Sequence, residues 1–274
     1  MKSARDHEGT QTLQRGLDVL TAFRGDRKPL TNGELVRRTG LSKATVSRLT
    51  TTLVQLGFLR RAALGVGFEL GTRGLGLGHA FLQGSPLHVT AMPLMQRVAD
   101  RLNVSVALAM AENIHMLYVA YAPGKRIATL RLGVGSFLPM GLTAVGRAYL
   151  YSLAPDSRRA MLARLGQADP RHADAIASGA RAAFEDLEAS QTCTCIGEFQ
   201  RDAVGIATPA AIGVHGTPMA LSCGAVGLAS RLGVAKPRIV PELLALRHEL
   251  EMAVAKLDTG PVPASALVAR PDGI

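Results

Sequence analysis

The chain has 274 residues, 47% hydrophobic and 19% charged, with a net charge of +10. This balance excludes a disordered or coiled-coil chain, and the length suits one large domain or two ordinary ones with a sizeable core. No apolar run approaches the ~18 residues of a membrane span. The N-terminus lacks a signal-peptide apolar region, and Cys193, Cys195 and Cys223 are too few for a disulfide scaffold, so a cytoplasmic location is expected.

The charge is unevenly placed. Residues 1–78 hold 13 Lys+Arg against 6 Asp+Glu, or +7, whereas the remainder holds 18 against 15, or +3. A small basic module that binds a polyanion, joined to a part with another task, gives this asymmetry; so does a solvated basic surface.

In chain order, residues 1–10 are expected to be disordered. Leu13, Leu17, Leu20 and Phe23 then predict an amphipathic helix over residues 11–24. Thr31-Asn32-Gly33-Glu34 is a capping box that opens a second helix burying Leu35 and Val36, and Gly40 ends it in a left-handed cap. Ser42 caps a third helix running to Leu56, with Val46, Leu49, Leu53 and Leu56 as its apolar stripe.

The opposite face of that helix presents Lys43, Ala44, Ser47, Arg48, Thr51 and Thr52 and carries no carboxylate. With Thr31, Ser42 and Thr45 near the helix starts, it is suited to a DNA major groove, where hydroxyls meet phosphates and an arginine grips guanine. Helix, glycine turn and capped polar helix follow the helix-turn-helix order, although a plain three-helix bundle has the same pattern. Phe58–Arg61 and Gly67–Leu70 read as two short strands around a glycine-containing turn. That hairpin is a wing and places Arg60 and Arg61 beside the phosphate backbone. The glycine-rich stretch Gly71–His79 follows no βαβ strand and precedes no Lys-Ser/Thr, so it is read as a linker and not a phosphate loop.

At this point the chain resembles the IclR-type transcriptional regulators. The matching residues run through Leu13–Leu20, Glu34–Leu49, Leu53–Leu59 and the Leu70-Gly71 step, and the resemblance covers roughly residues 11–257. One departure is the wing tip, Ala62–Val66, which is more apolar than usual in the family. The resemblance implies a winged helix-turn-helix over 11–72, a linker helix over 73–85 and an effector-binding domain over 86–257, while Pro261, Pro263, Pro271 and Gly273 predict a flexible tail over 258–274.

In the second half, Pro86 can start a helix reaching Leu102, which Pro93 kinks or shortens. Val104–Met110, Met116–Tyr121 and Ile127–Leu132 read as strands, and Thr143 caps a helix through Leu153. Helices follow near 157–165 and 171–190, then strands at 204–213 and 217–226 and a helix from Pro237 to Leu257. This order predicts an α+β domain with a mainly antiparallel sheet. The resemblance implies a GAF/PAS-like sensor fold around a small-molecule pocket.

Carried over by position, the effector-binding residues are Met140, Gly141, Thr143, Ala144, Gly146, Cys195, Gly205, Ile206, Ser222 and Gly224. Gly141, Gly205 and Gly224 stand where larger side chains are common, so a roomier, less polar pocket is expected, suited to an aromatic carboxylate. Cys193-x-Cys195 with Cys223 and His172 lacks zinc-ligand spacing, so no metal is expected. No Gly-x-Ser-x-Gly motif or clustered His/Asp pairing supports Ser222 or Cys223 as a nucleophile, so no catalytic residue and no cofactor are expected.

The reading is therefore a regulator that binds operator DNA as a dimer or dimer of dimers, tuned by a small organic acid, with no membrane partner. The other classes are a GAF-like enzyme fused to a DNA-binding module and a winged-helix scaffold for protein contacts.

Overall fold

The computed structural model describes residues 8–23, 28–63, 65–125, 132–212 and 217–258. The chain divides into two units after Ser85. The expected disorder of 1–10 and of the tail, and the predicted strand Ile127–Leu132, fall largely outside the described residues.

The first unit contains α1 (Glu8–Thr21), α2 (Asn32–Thr39), α3 (Lys43–Gln55), β1 (Leu59–Arg61), β2 (Phe68–Leu70) and α4 (Thr72–Gln83). Thr31 caps α2, its hydroxyl accepting from the Glu34 amide at 3.2 Å. The Glu34 carboxylate turns to Arg37 and Arg38 at 2.6 and 2.8 Å, so only half of the expected capping box forms. Gly40 takes φ 70° and closes α2 on the Val36 carbonyl, and Ser42 caps α3 by accepting from the Thr45 amide.

Val19, Leu30, Leu35, Val46, Leu53, Leu59 and Phe68 form the core of this unit. The buried stripe of α3 is Val46, Thr50 and Leu53. Thr50 enters it because its hydroxyl is satisfied by the Val46 carbonyl at 2.9 Å, while the predicted Leu56 lies past the helix end and is 47% exposed. In α1 Val19 is buried, as is Ala22 just past the helix end, whereas Leu13 and Leu17 of the predicted stripe are exposed.

Strands β1 and β2 pair antiparallel, and Leu30 adds a bridge to Phe68. Gly67, at φ 92°, allows that bridge: a Cβ there would stand 2.9 Å from the Leu30 carbonyl oxygen. The stretch read as a linker is helical despite Gly74, Gly76 and Gly78, and none of its residues is buried.

The second unit is a six-stranded sheet in the order β5-β4-β3-β8-β7-β6, every neighbouring pair antiparallel. Its strands are β3 (Ser105–Glu112), β4 (His115–Ala122), β5 (Phe137–Pro139), β6 (Cys193–Ile196), β7 (Ala203–Ala210) and β8 (Met219–Val226). Its helices are α5 (Pro86–Leu102), α6 (Ala144–Ser152), α7 (Pro155–Ala168), α8 (Ala173–Ser190) and α9 (Leu232–Asp258). The last begins before the expected Pro237. Alternation along the strands separates two cores. Val106, Leu108, Ile206, Leu221 and Cys223 pack with Met95 of α5 and Leu243 and Leu250 of α9. Ala107, Ala109, Met116, Tyr118 and Cys193 pack with Val145 and Ala148 of α6 and Ile176 and Leu187 of α8.

One irregularity positions the site. Leu108 pairs with Ala120 and Ala109 with Tyr118, so Val119 has no partner in β3. Residues three apart on a regular strand face opposite ways; this bulge puts Tyr118 and Tyr121 on one face.

Candidate nucleic-acid interface and ligand pocket

On α3, Lys43, Ala44, Ser47, Arg48, Thr51 and Thr52 are exposed, as is the capping Ser42, while Thr45 is half-buried. Thr51 and Thr52 donate their hydroxyls to the carbonyls of Ser47 and Arg48 at 2.9 and 3.1 Å, which holds both side chains along the helix. Lys43 and Arg48 form no ion pair among the described residues. Thr31 is exposed one helix earlier. In the wing, Arg60 pairs with Glu69 at 2.6 Å and the Arg61 guanidinium lies over the Phe68 ring at 5.6 Å, both side chains remaining exposed.

In the second unit a cavity of about 80 Å³ lies between the sheet and the start of α6. Tyr118 and Tyr121 stack in its wall, ring centroids 5.9 Å apart, and the Tyr121 hydroxyl donates to Ser105 at 2.8 Å. Burial pushes the Tyr118 phenol up, against a hydrogen bond with Ser222. Thr143 caps α6, accepting from the Gly146 amide at 3.3 Å and donating to the Pro139 carbonyl at 2.9 Å. Behind the wall, Arg147 of α6 donates to Glu198 at 2.7 Å, to Cys195 Sγ at 3.4 Å and to the Gly141 carbonyl at 3.2 Å. Burial opposes ionisation of Glu198 most strongly, but hydrogen bonds from Arg147 and from Cys195 Sγ, with the Arg147 charge, together outweigh it and hold the carboxyl below its usual value. Burial pushes the thiols of Cys193, Cys195 and Cys223 up to about 12.

Two family models match the chain: the IclR helix-turn-helix domain over residues 12–63 and the bacterial transcriptional regulator IclR C-terminal domain over residues 79–172. An IclR-family transcriptional regulator from Brucella abortus has a crystal structure 34% identical in sequence, with a TM-score of 0.77, aligned over 92% of this chain and 97% of that one. The chain belongs to the IclR family of transcriptional regulators. The Pca regulon regulatory protein of Pseudomonas putida is 34% identical over 58% of this chain. That match spans 54% of the Pseudomonas protein, so the chain covers about half the length of this curated relative. An IclR homologue from Microbacterium hydrocarbonoxydans, solved in complex with 4-hydroxybenzoate, is 25% identical with a TM-score of 0.65, over 89% of this chain and 99% of that one.

In this IclR-family chain, Thr143, Ala144, Cys195, Gly205, Ser222 and Gly224 line the cavity. Met140, Gly141, Gly146 and Ile206 do not line it. Met140 and Ile206 are fully buried in the two cores. A Cβ on Gly146 would stand 2.0 Å from the Met140 carbonyl oxygen, and one on Gly141 would stand 2.8 Å from Ile176. These two glycines serve close packing.

Of the three glycines expected to open the pocket, Gly141 and Gly224 stand against neighbours instead. Gly224 is small because a Cβ would approach the Val204 carbonyl at 3.0 Å, and only Gly205 faces space, with Ala144 at 3.4 Å. Ser105, Tyr118, Tyr121, Glu198 and Gln200 add polar groups that the sequence reading missed. Among the described residues no group of His, Cys, Asp and Glu is arranged to hold a metal, and no helix is long and apolar enough to cross a membrane.

Proposed function

We propose that the protein binds operator DNA through α3 and the wing, and that a small organic acid, of the aromatic carboxylate class, binds in the cavity and modulates that grip. The observation that carries the reading is the exposed face of α3: capped, basic, rich in hydroxyls and free of carboxylates from Ser42 to Leu56. Such a face avoids repulsion by phosphates and offers Arg48 to a guanine edge. The stacked tyrosines and apolar lining support a ring-bearing ligand, as does the 4-hydroxybenzoate complex of the Microbacterium relative. Thiols held protonated in the interior favour a binder over a catalyst.

A two-fold dimer completes the proposal, because one recognition helix buries too little surface for specific affinity and paired half-sites supply more. Helix α4, with Leu77 and Phe81 exposed at one-turn spacing, and Leu13 and Leu17 of α1 supply apolar surface for a second copy. A dimer of dimers and a cytoplasmic location belong to the same reading.

A gel shift on a fragment from upstream of the protein's own coding region, with and without a panel of aliphatic and aromatic acids, tests it. We expect a shift that at least one aromatic acid alters. Absence of any shift overturns the DNA assignment; a response to the smallest aliphatic acids alone overturns the aromatic class.

A further inference from the structure

Glu198 is the one charged side chain lining the cavity among the described residues; no lysine, arginine or histidine is there. An acid entering this wall meets a negative charge, and the cation that would hold it lies one layer deeper. That cation is Arg147, its side chain 3% exposed and covered on the cavity side by Glu198 and Cys195, both of which it contacts.

The two partners are not equally fixed. The Arg147 Nε donates to the Gly141 carbonyl, and the guanidinium lies against Gly179 of α8 so closely that a Cβ there would stand 1.9 Å from Nη2. Glu198 sits on the β6–β7 connection next to Gly197, which has φ 70°; its side chain is 32% exposed and, besides Arg147, accepts only a weak thiol hydrogen bond from Cys195 at 3.1 Å among the described residues. If one partner leaves, it is Glu198.

We propose that Glu198 holds the place of the effector's acid group: an incoming carboxylate replaces it on Arg147, and Glu198 withdraws to solvent. The inference rests on the reading of the cavity as an acid site and names the residue that decides which acids are accepted. Exchange of one carboxylate for another leaves no buried charge unpaired, whereas a neutral amide of the same shape offers no such trade. It also gives the ligand two states to discriminate, because Glu198 is the link between α6 and the β6–β7 connection only in the empty one.

Calorimetric titration of the full chain with 4-hydroxybenzoate and with 4-hydroxybenzamide tests this in three proteins: wild type, Glu198→Gln and the doubly neutral Arg147→Gln/Glu198→Gln. With its competitor made neutral, Glu198→Gln should bind the acid at least tenfold more tightly than wild type, with amide binding unchanged. The double variant, which leaves neither charge behind, should bind the acid at least tenfold more weakly than wild type. Equal acid affinity in wild type and Glu198→Gln overturns the exchange, as does an equal weakening of both ligands by Glu198→Gln, which would make Glu198 a direct acceptor for the ligand's hydroxyl. No binding of either ligand by wild type or Glu198→Gln overturns the reading of the cavity as an aromatic-acid site, and the exchange with it.

Discussion

At the residue scale, Arg147 shows how small neighbours make a buried cation possible. Gly179 leaves the guanidinium its place, and Gly141 offers it a carbonyl. Gly179→Ala has no room that Arg147 does not already fill, so it should lower unfolding stability by ~1–3 kcal/mol, read as a urea midpoint shift at unchanged slope. The pH dependence follows from Glu198. Its carboxyl is held below the usual 4.5 in the folded chain, so its contribution is present above that value and lost as pH falls through the folded one. The stability gap between wild type and Glu198→Gln should therefore be level near neutrality and close as pH is lowered below 4.5. A gap that widens on acidification would contradict the pairing. None of this is legible in the sequence: Arg147 and Glu198 lie 51 positions apart, and the glycines that seat the pair have no local signature.

The elements were legible in proportion to how local their causes are. Caps and periodicity predict α2 and α3 from Thr31, Gly40, Ser42 and the apolar spacing, and those elements stand where the sequence places them. The bulge at Val119 was not legible, because it depends on the partner strand, and with it went Tyr118 and Tyr121 as pocket residues. Helix α4 defies its composition, since glycine costs a helix about 1 kcal/mol per residue relative to alanine and α4 holds three with no buried contact of its own. A second copy packed on it would supply the missing stabilisation. If the proposed dimer packs through α4, Leu77→Lys/Phe81→Lys should leave a monomer by size-exclusion chromatography with light scattering, and weaken binding to a two-half-site duplex more than to a single half-site. An unchanged mass would show that α4 is not the interface.

At the scale of the whole molecule, the charge of +10 acquires a location: +7 falls before residue 79, in the unit that carries α3 and the wing, and the unit with the cavity is close to neutral. Position therefore says more than net charge, which a solvated surface would equally explain. The most direct test of the central claim is fluorescence anisotropy of an upstream duplex and a scrambled duplex, titrated from about 50 to about 200 mM salt with wild type, Arg48→Ala and Arg60→Ala. Arg48→Ala should lose ~1–3 kcal/mol on the upstream duplex and little on the scrambled one. Arg60→Ala should weaken both alike and reduce the salt slope by about 1. An Arg48→Ala protein that binds the upstream duplex as tightly as wild type would contradict the assignment of α3 as the recognition helix.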